Sequence, residues 1–288
     1  MTPPDPLDLD LDRQSRGPAA PPDPEPTPDR RPLIIGGVVL FAVLAIGLWF
    51  WFSGDSPETD AVVQDTGAPV EPDGTPALGS GDALDLPPLG EQLDPVVRGL
   101  LASLSSRPEL ARLLATDGLV RRFVVSVDGI ARGATPSGQL TVIRPEGSFS
   151  VESQNGPGRI NPASFARYDG LAATVDDLDP QGLARLYGQL KPRLDDAHVE
   201  LGGGGTFDAS MEKAIVHLLS VSPDAARGTV RPAKGVTYEW SDASVESLSH
   251  AQKHLLRMGP DNARRVQAKL RAFAEALGIP ADRLPAPR

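Results

Sequence analysis

The chain has 288 residues, with 30 prolines, 29 glycines, no cysteine, and 28 basic against 38 acidic side chains. The missing cysteines exclude a disulfide framework, a thiolate metal site and a cysteine nucleophile together. The net charge of −10 is unevenly placed: residues 53–94 hold ten carboxylates and no base, whereas residues 95–288 are net +3.

Residues 1–32 contain ten prolines and carry a net −3. With few apolar side chains they cannot bury enough surface to offset chain entropy, so a disordered cytoplasmic tail is expected. The run PPDPEPTP at 21–28 matches proline-recognising grooves in kind, but a solvated spacer is the simpler reading. Leu33 to Phe52 then reads LIIGGVVLFAVLAIGLWFWF, twenty residues without a charge. As a helix this run is ~30 Å long, the thickness of a bilayer's hydrocarbon core, and it is read as a transmembrane helix. Arg13, Arg16, Arg30 and Arg31 precede it, and the next basic residue is Arg98. The positive-inside rule places the N-terminus in the cytoplasm and everything after Phe52 on the outer side of the membrane. Trp49, Phe50, Trp51 and Phe52 supply an aromatic belt at the outer interface. No A-x-A-like cleavage site follows them, which favours an uncleaved anchor. The span carries no small-xxx-small pair, so association through it has no sequence support.

Residues 53–94 combine six prolines, six glycines and ten carboxylates. Such a chain extends by self-repulsion, with a coil span of ~36 Å, and is read as a linker between membrane and domain.

From residue 95 to 278 the periodicity is helical. Val96, Val97, Leu100, Leu101 and Leu104 share one face, and Ser106 with Pro108 opens a second helix. Val120, Phe123, Val124, Val127 and Ile130 repeat at three and four, favouring helix over strand. Leu140–Ile143 and Ser148–Val151 read as short extended pieces. Asp179 and Pro180 form an N-cap and first helical position before the stripe Leu183, Leu186, Tyr187, Leu190 and Leu194, with Pro192 expected to kink or divide that helix. Gly202–Gly205 reads as a loop, and Thr206 or Asp208 caps the next helix. Val236, Tyr238 and Trp240 alternate as a strand. A helix starting at Ser241 or Asp242 is expected to run to Met258. Gly259 should then be its left-handed C-terminal cap and Pro260 the first residue of the last helix. The fold class is mainly α: one transmembrane helix, a flexible linker, then a compact helical domain with small β pieces. Residues 279–288 are read as a C-terminal tail.

Three segments, RRFVVSVDGIAR (121–132), FARYDGL (165–171) and QKHLLRMGPDNARRVQAKL (252–270), resemble the bacterial envelope family called domain of unknown function 3014. The likeness covers about residues 84–278, and the last motif is the most specific. The resemblance implies a single-pass membrane protein with a C-terminal domain and no established activity. The run GGGGTFDAS at 202–210 is richer in glycine than the family pattern.

Glu246, His250 and His254 are spaced four and four, so one continuous helix would align two imidazoles and a carboxylate, a set zinc accepts. This is the basis of the alternative function, a metal-dependent envelope hydrolase. A polar helix face is the preferred reading, so neither metal nor other cofactor is expected. His198 and His217 read as helix-surface or cap residues. The glycine run lacks the Lys and Ser/Thr of a phosphate loop. Asp176, Asp177 and Asp179, or Asp195, Asp196 and Glu200, could supply a glycosidase carboxylate pair, but acidic helix ends look the same. Arg264, Arg265, Lys269 and Arg271 form a candidate interaction face on the last helix. Nucleic acid is excluded by the expected topology, which leaves a periplasmic protein or an anionic envelope component as partner. The reading is an inner-membrane-anchored periplasmic protein, non-catalytic, that binds through its C-terminal domain.

Overall fold

The computed structural model describes residues 77–82, 84–102, 108–135, 145–153, 156–234 and 237–287. The tail, the expected span at 33–52, the start of the linker, Leu104, Ser106, Leu140–Ile143 and Val236 lie outside them. Among the described residues no helix is long and apolar enough to cross a membrane.

The described chain is a mainly helical domain with a small sheet. The helices are α1 (Leu93–Ala102), α2 (Pro108–Leu114), α3 (Leu119–Ala131), α4 (Pro162–Ala166), α5 (Asp169–Asp176), α6 (Pro180–Glu200), α7 (Phe207–Leu219), α8 (Ala243–Glu246), α9 (His250–Arg257) and α10 (Pro260–Leu277). A 3-10 turn spans Pro223–Arg227. The strands β1 (Val151–Glu152), β2 (Gly158–Ile160), β3 (Thr229–Pro232) and β4 (Tyr238–Trp240) form one antiparallel sheet in chain order. Val151 pairs with Ile160, Gly158 with Val230, and Val230 with Trp240.

The core is where α3 lies on α6 and α7 while α10 packs across α5, α6 and α7. The α3 stripe Val120, Phe123, Val124, Val127 and Ile130 is buried, so the helical period at 119–131 is correct. Phe207, the first residue of α7, sits edge-on to Phe123 at 5.7 Å and stacks on Tyr187 at 6.2 Å. Asp179 caps α6 through the amides of Gln181 and Gly182, and Thr206 caps α7 through that of Ala209. Pro192 lies inside α6 without dividing it.

Several expectations are corrected. The helix expected to run from 241–242 to Met258 is two: Asp242 caps α8, and Ser249 opens α9 in a reciprocal capping box with Gln252. The box supplies Ser249 Oγ to the Gln252 amide, which fixes a fresh start where a continuous helix was expected. Gly259 has positive φ as expected, but at φ 85°, ψ 162° it is the N-cap of α10 rather than a left-handed C-cap. His198 is 2 % exposed rather than on the surface. Part of the stretch 53–94 expected to be linker is packed on the domain instead: Leu78 and Leu86 are buried and α1 begins at Leu93. In the expected C-terminal tail, Ile279 and Leu284 are buried and Arg283 pairs with Glu212 at 2.7 Å.

Candidate functional site

The most specific motif, 252–270, is a set of staples. Gln252 Nε2 donates to His217 O and Ser220 Oγ, at 3.1 and 2.9 Å. Gln267 Nε2 donates to Leu218 O and Val221 O, both at 2.8 Å, and Lys269 Nζ to Leu178 O at 2.6 Å. These carbonyls stand at the C-terminal ends of α7 and α5, where a helix leaves four acceptors unpaired. The long side chains of α9 and α10 therefore close the ends of the helices they pack against.

The same geometry breaks up the expected interaction face. Arg264 binds Asp224 and Asp261 at 2.5 and 2.8 Å, Lys269 is held by Leu178, and Arg271 donates to Pro285 O. At about 100° per residue, Arg264 and Arg271 lie roughly 120° round the helix from Arg265 and Lys269. Of the four, only Arg265 is exposed. The helix carries them at intervals that do not align, and internal acceptors take three.

The candidate metal set does not converge either. Glu246 ends α8, where its carboxylate accepts from Lys253 Nζ at 2.6 Å and the Trp240 amide at 2.7 Å. His250 is exposed at the first position of α9, and His254 has no exposed surface. Neither ring nitrogen of His254 has a hydrogen-bond partner in the protein. Burial, and then the nearby Arg257 charge, push its pKa down to about 3, so the ring stays neutral. The break between α8 and α9 removes the single helical face that the four-and-four spacing requires. Among the described residues no cluster of three or more His, Asp or Glu is arranged to hold a metal. An unpaired buried polar group costs about 1–3 kcal/mol, so His254→Leu should raise stability by about 1 kcal/mol. Urea unfolding checks this, and zinc content measured on the same samples should not change with the substitution.

Four of the acidic groups expected at helix ends have cation or cap roles. Asp179 caps α6, Asp195 and Asp196 pair with Lys191 and Arg193, and Glu200 accepts from Arg121 Nε and Nη2, each at 2.9 Å. Burial raises the Asp195 carboxyl above its usual range, while Lys191 opposes the rise. One Ser–His contact was not foreseen: His217 Nε2 lies 2.7 Å from Ser249 Oγ. That hydroxyl also accepts the Gln252 amide at 3.1 Å, and burial lowers the His217 pKa. The pair serves a helix cap.

What the two motifs build together is a cleft of about 490 Å³. One wall is Phe165 and Asp169 of the 165–171 motif, and the other is the turn Met258–Asn262. Strand β2 contributes Arg159 and Ile160, and the 3-10 turn contributes Arg227. Asn262, 5 % exposed, locks the walls together: its Nδ2 donates to Asp169 Oδ1 at 2.8 Å, Met258 O at 3.1 Å and Phe165 O at 3.3 Å. Behind Phe165, the Tyr168 ring is buried, which raises its hydroxyl pKa, and the Arg167 guanidinium lies 5.8 Å over that ring. The lining has apolar floor residues with guanidiniums and carboxylates at the rim, and no hydroxyl, imidazole or amine side chain. Charges of both signs beside apolar surface equip it to recognise a ligand. Phe165 and Asp169 belong to the 165–171 motif, yet only the fold brings them opposite the Met258–Asn262 turn.

The family described as protein of unknown function DUF3014 matches residues 119–274. The chain belongs to this family. Neither curated proteins nor solved structures give a match to it.

Proposed function

We propose that this chain is a single-pass protein of a bacterial inner membrane that presents a non-catalytic binding domain to the periplasm. The observation that carries the reading is the uncharged run Leu33 to Phe52, with four arginines before it and none for 45 residues after it. The cleft between Phe165 and the Met258–Asn262 turn is the contact surface. Its mixed rim of guanidiniums and carboxylates over an apolar floor suits a polypeptide partner better than a uniformly anionic one, because like charges face any single-sign ligand. The intramolecular partners of Arg264, Lys269 and Arg271 support the same choice.

An alkaline phosphatase reporter joined after residue 288 should be active in cells. A fluorescent protein that matures only in the cytoplasm should stay dark at the same position. The reverse pair of results would overturn the topology.

A further inference from the structure

A segment without helix or strand lies along α6 just ahead of α1. Ser80 N donates to Ala184 O at 3.2 Å, Leu84 N to Gln189 O at 3.4 Å, and Arg193 Nη2 to Leu86 O at 2.8 Å. The segment thus runs parallel to α6, and its first residues are clasped separately. Leu78 N donates to Asp208 Oδ2 and Gly79 N to Leu277 O, both at 3.0 Å. Asp208 is itself held, by the Tyr187 hydroxyl at 2.6 Å and Lys191 Nζ at 2.9 Å.

The contact is shaped for this segment and is slight at the same time. A Cβ on Gly188 of α6 would lie 2.5 Å from Ser80 O, so the two backbones meet only because that side chain is missing. Leu78 and Leu86 are buried, whereas Ser80, Gly81, Asp82, Leu84 and Asp85 between them are exposed. The helix below keeps its own hydrogen-bond ladder whether or not the segment is seated. Segments with few buried contacts and solvent-exposed backbone bonds open locally, at far lower cost than global unfolding.

We propose that residues 78–89 are a releasable latch that sets the free length of the membrane tether. The consequence for reach rests on the membrane-anchored reading above. Seated, the latch ends the linker near residue 77. Released, residues 78–92 join the linker and add about 50 Å of contour at ~3.3–3.6 Å per residue. Tension from the membrane side arrives at Leu78, so the bonds to Asp208, Leu277, Ala184 and Gln189 yield in turn rather than together. The domain then has a short-reach and a long-reach state with its core unchanged.

Amide hydrogen exchange on the full chain in lipid nanodiscs tests this. The amides of Leu78, Gly79, Ser80 and Leu84 should exchange at least ~100-fold faster than those of Leu270 and Phe273, by local opening. Asp208→Asn should accelerate the four by ~10-fold and leave α10 unchanged. Gly188→Ala supplies the second arm, because alanine favours α6 as a helix while its Cβ expels Ser80. It should strip protection from the latch and keep that of α6. Latch amides that exchange only at the rate of α10, or that stay protected in Gly188→Ala, would overturn the proposal. Energy transfer from labelled lipid to the domain should fall in Gly188→Ala. Equal energy transfer in the two proteins despite latch release would overturn the role in reach, whereas no transfer in either would count against the membrane anchor and not against the latch.

Discussion

Gly259→Ala should destabilise the domain by about 2–6 kcal/mol, more than any change to the charged residues of α10. Two costs add. At φ 85°, ψ 162° the backbone lies where only glycine is unstrained, and another residue held there costs about 1–3 kcal/mol. The new Cβ would also fall 2.6–3.0 Å from Phe165 Cγ, Cβ and Cδ1, an overpacking worth about 1–3 kcal/mol in a tight site. Phe165 is a wall of the cleft, so the strain falls on the binding surface as well as on the turn. Urea unfolding of the full chain would measure the loss. A midpoint within error of the parent's would mean that the turn can relax away from Phe165.

The same turn shows how much could be read in advance. Helix boundaries at 259–260 follow from Gly-Pro alone, and Pro260 does take the first position of α10. The expected left-handed cap missed a second message of that dipeptide. A residue before proline is pushed away from the helical range of ψ toward about +120 to +160°, and Gly259 at ψ 162° obeys. His198 was legible as well. The α6 stripe Leu183, Tyr187, Leu190 and Leu194 continues at the next four-residue step to position 198, which is therefore an inward position. Its partner was not legible, since Asp128 stands in α3, and no local pattern ties residues 70 apart. The latch was hidden for another reason: Leu78 and Leu86 sit among glycine, proline and aspartate, and two anchors eight residues apart make no periodicity. The cleft needed the fold itself, because its walls come from segments about 90 residues apart.

The buried His198–Asp128 pair should give the domain a stability that falls as pH rises above neutrality. His198 Nδ1 lies 3.0 Å from Asp128 Oδ2, with the side chains 3 % and 8 % exposed, and Nε2 is 3.4 Å from Gly204 O. The ring also meets Phe207 at 5.6 Å. The hydrogen bond that His198 donates to Asp128 raises the histidine pKa most, burial opposes it, and the charge of Asp128, the Gly204 carbonyl and the charge of Asp195 add to the rise. A raised folded-state pKa means that the native state holds the proton more tightly than the unfolded chain does. The stabilisation is therefore complete below the ordinary value of 6.5 and is lost as pH climbs through the higher folded value. Asp128→Ala leaves the imidazole buried without its acceptor, and breaking such a pair costs about 3–5 kcal/mol. It should also reverse the slope. With only burial acting strongly on the ring, the folded pKa drops below the unfolded one, and stability then rises as pH passes up through 6.5. Asp128→Asn keeps an oxygen acceptor for Nδ1–H without the charge, so it should recover part of the loss and flatten the pH dependence. Unfolding midpoints of the three proteins from about pH 5.5 to about 8.5 decide the matter. Parallel curves would mean that Asp128 does not set the His198 pKa, and that the bond between them contributes packing alone.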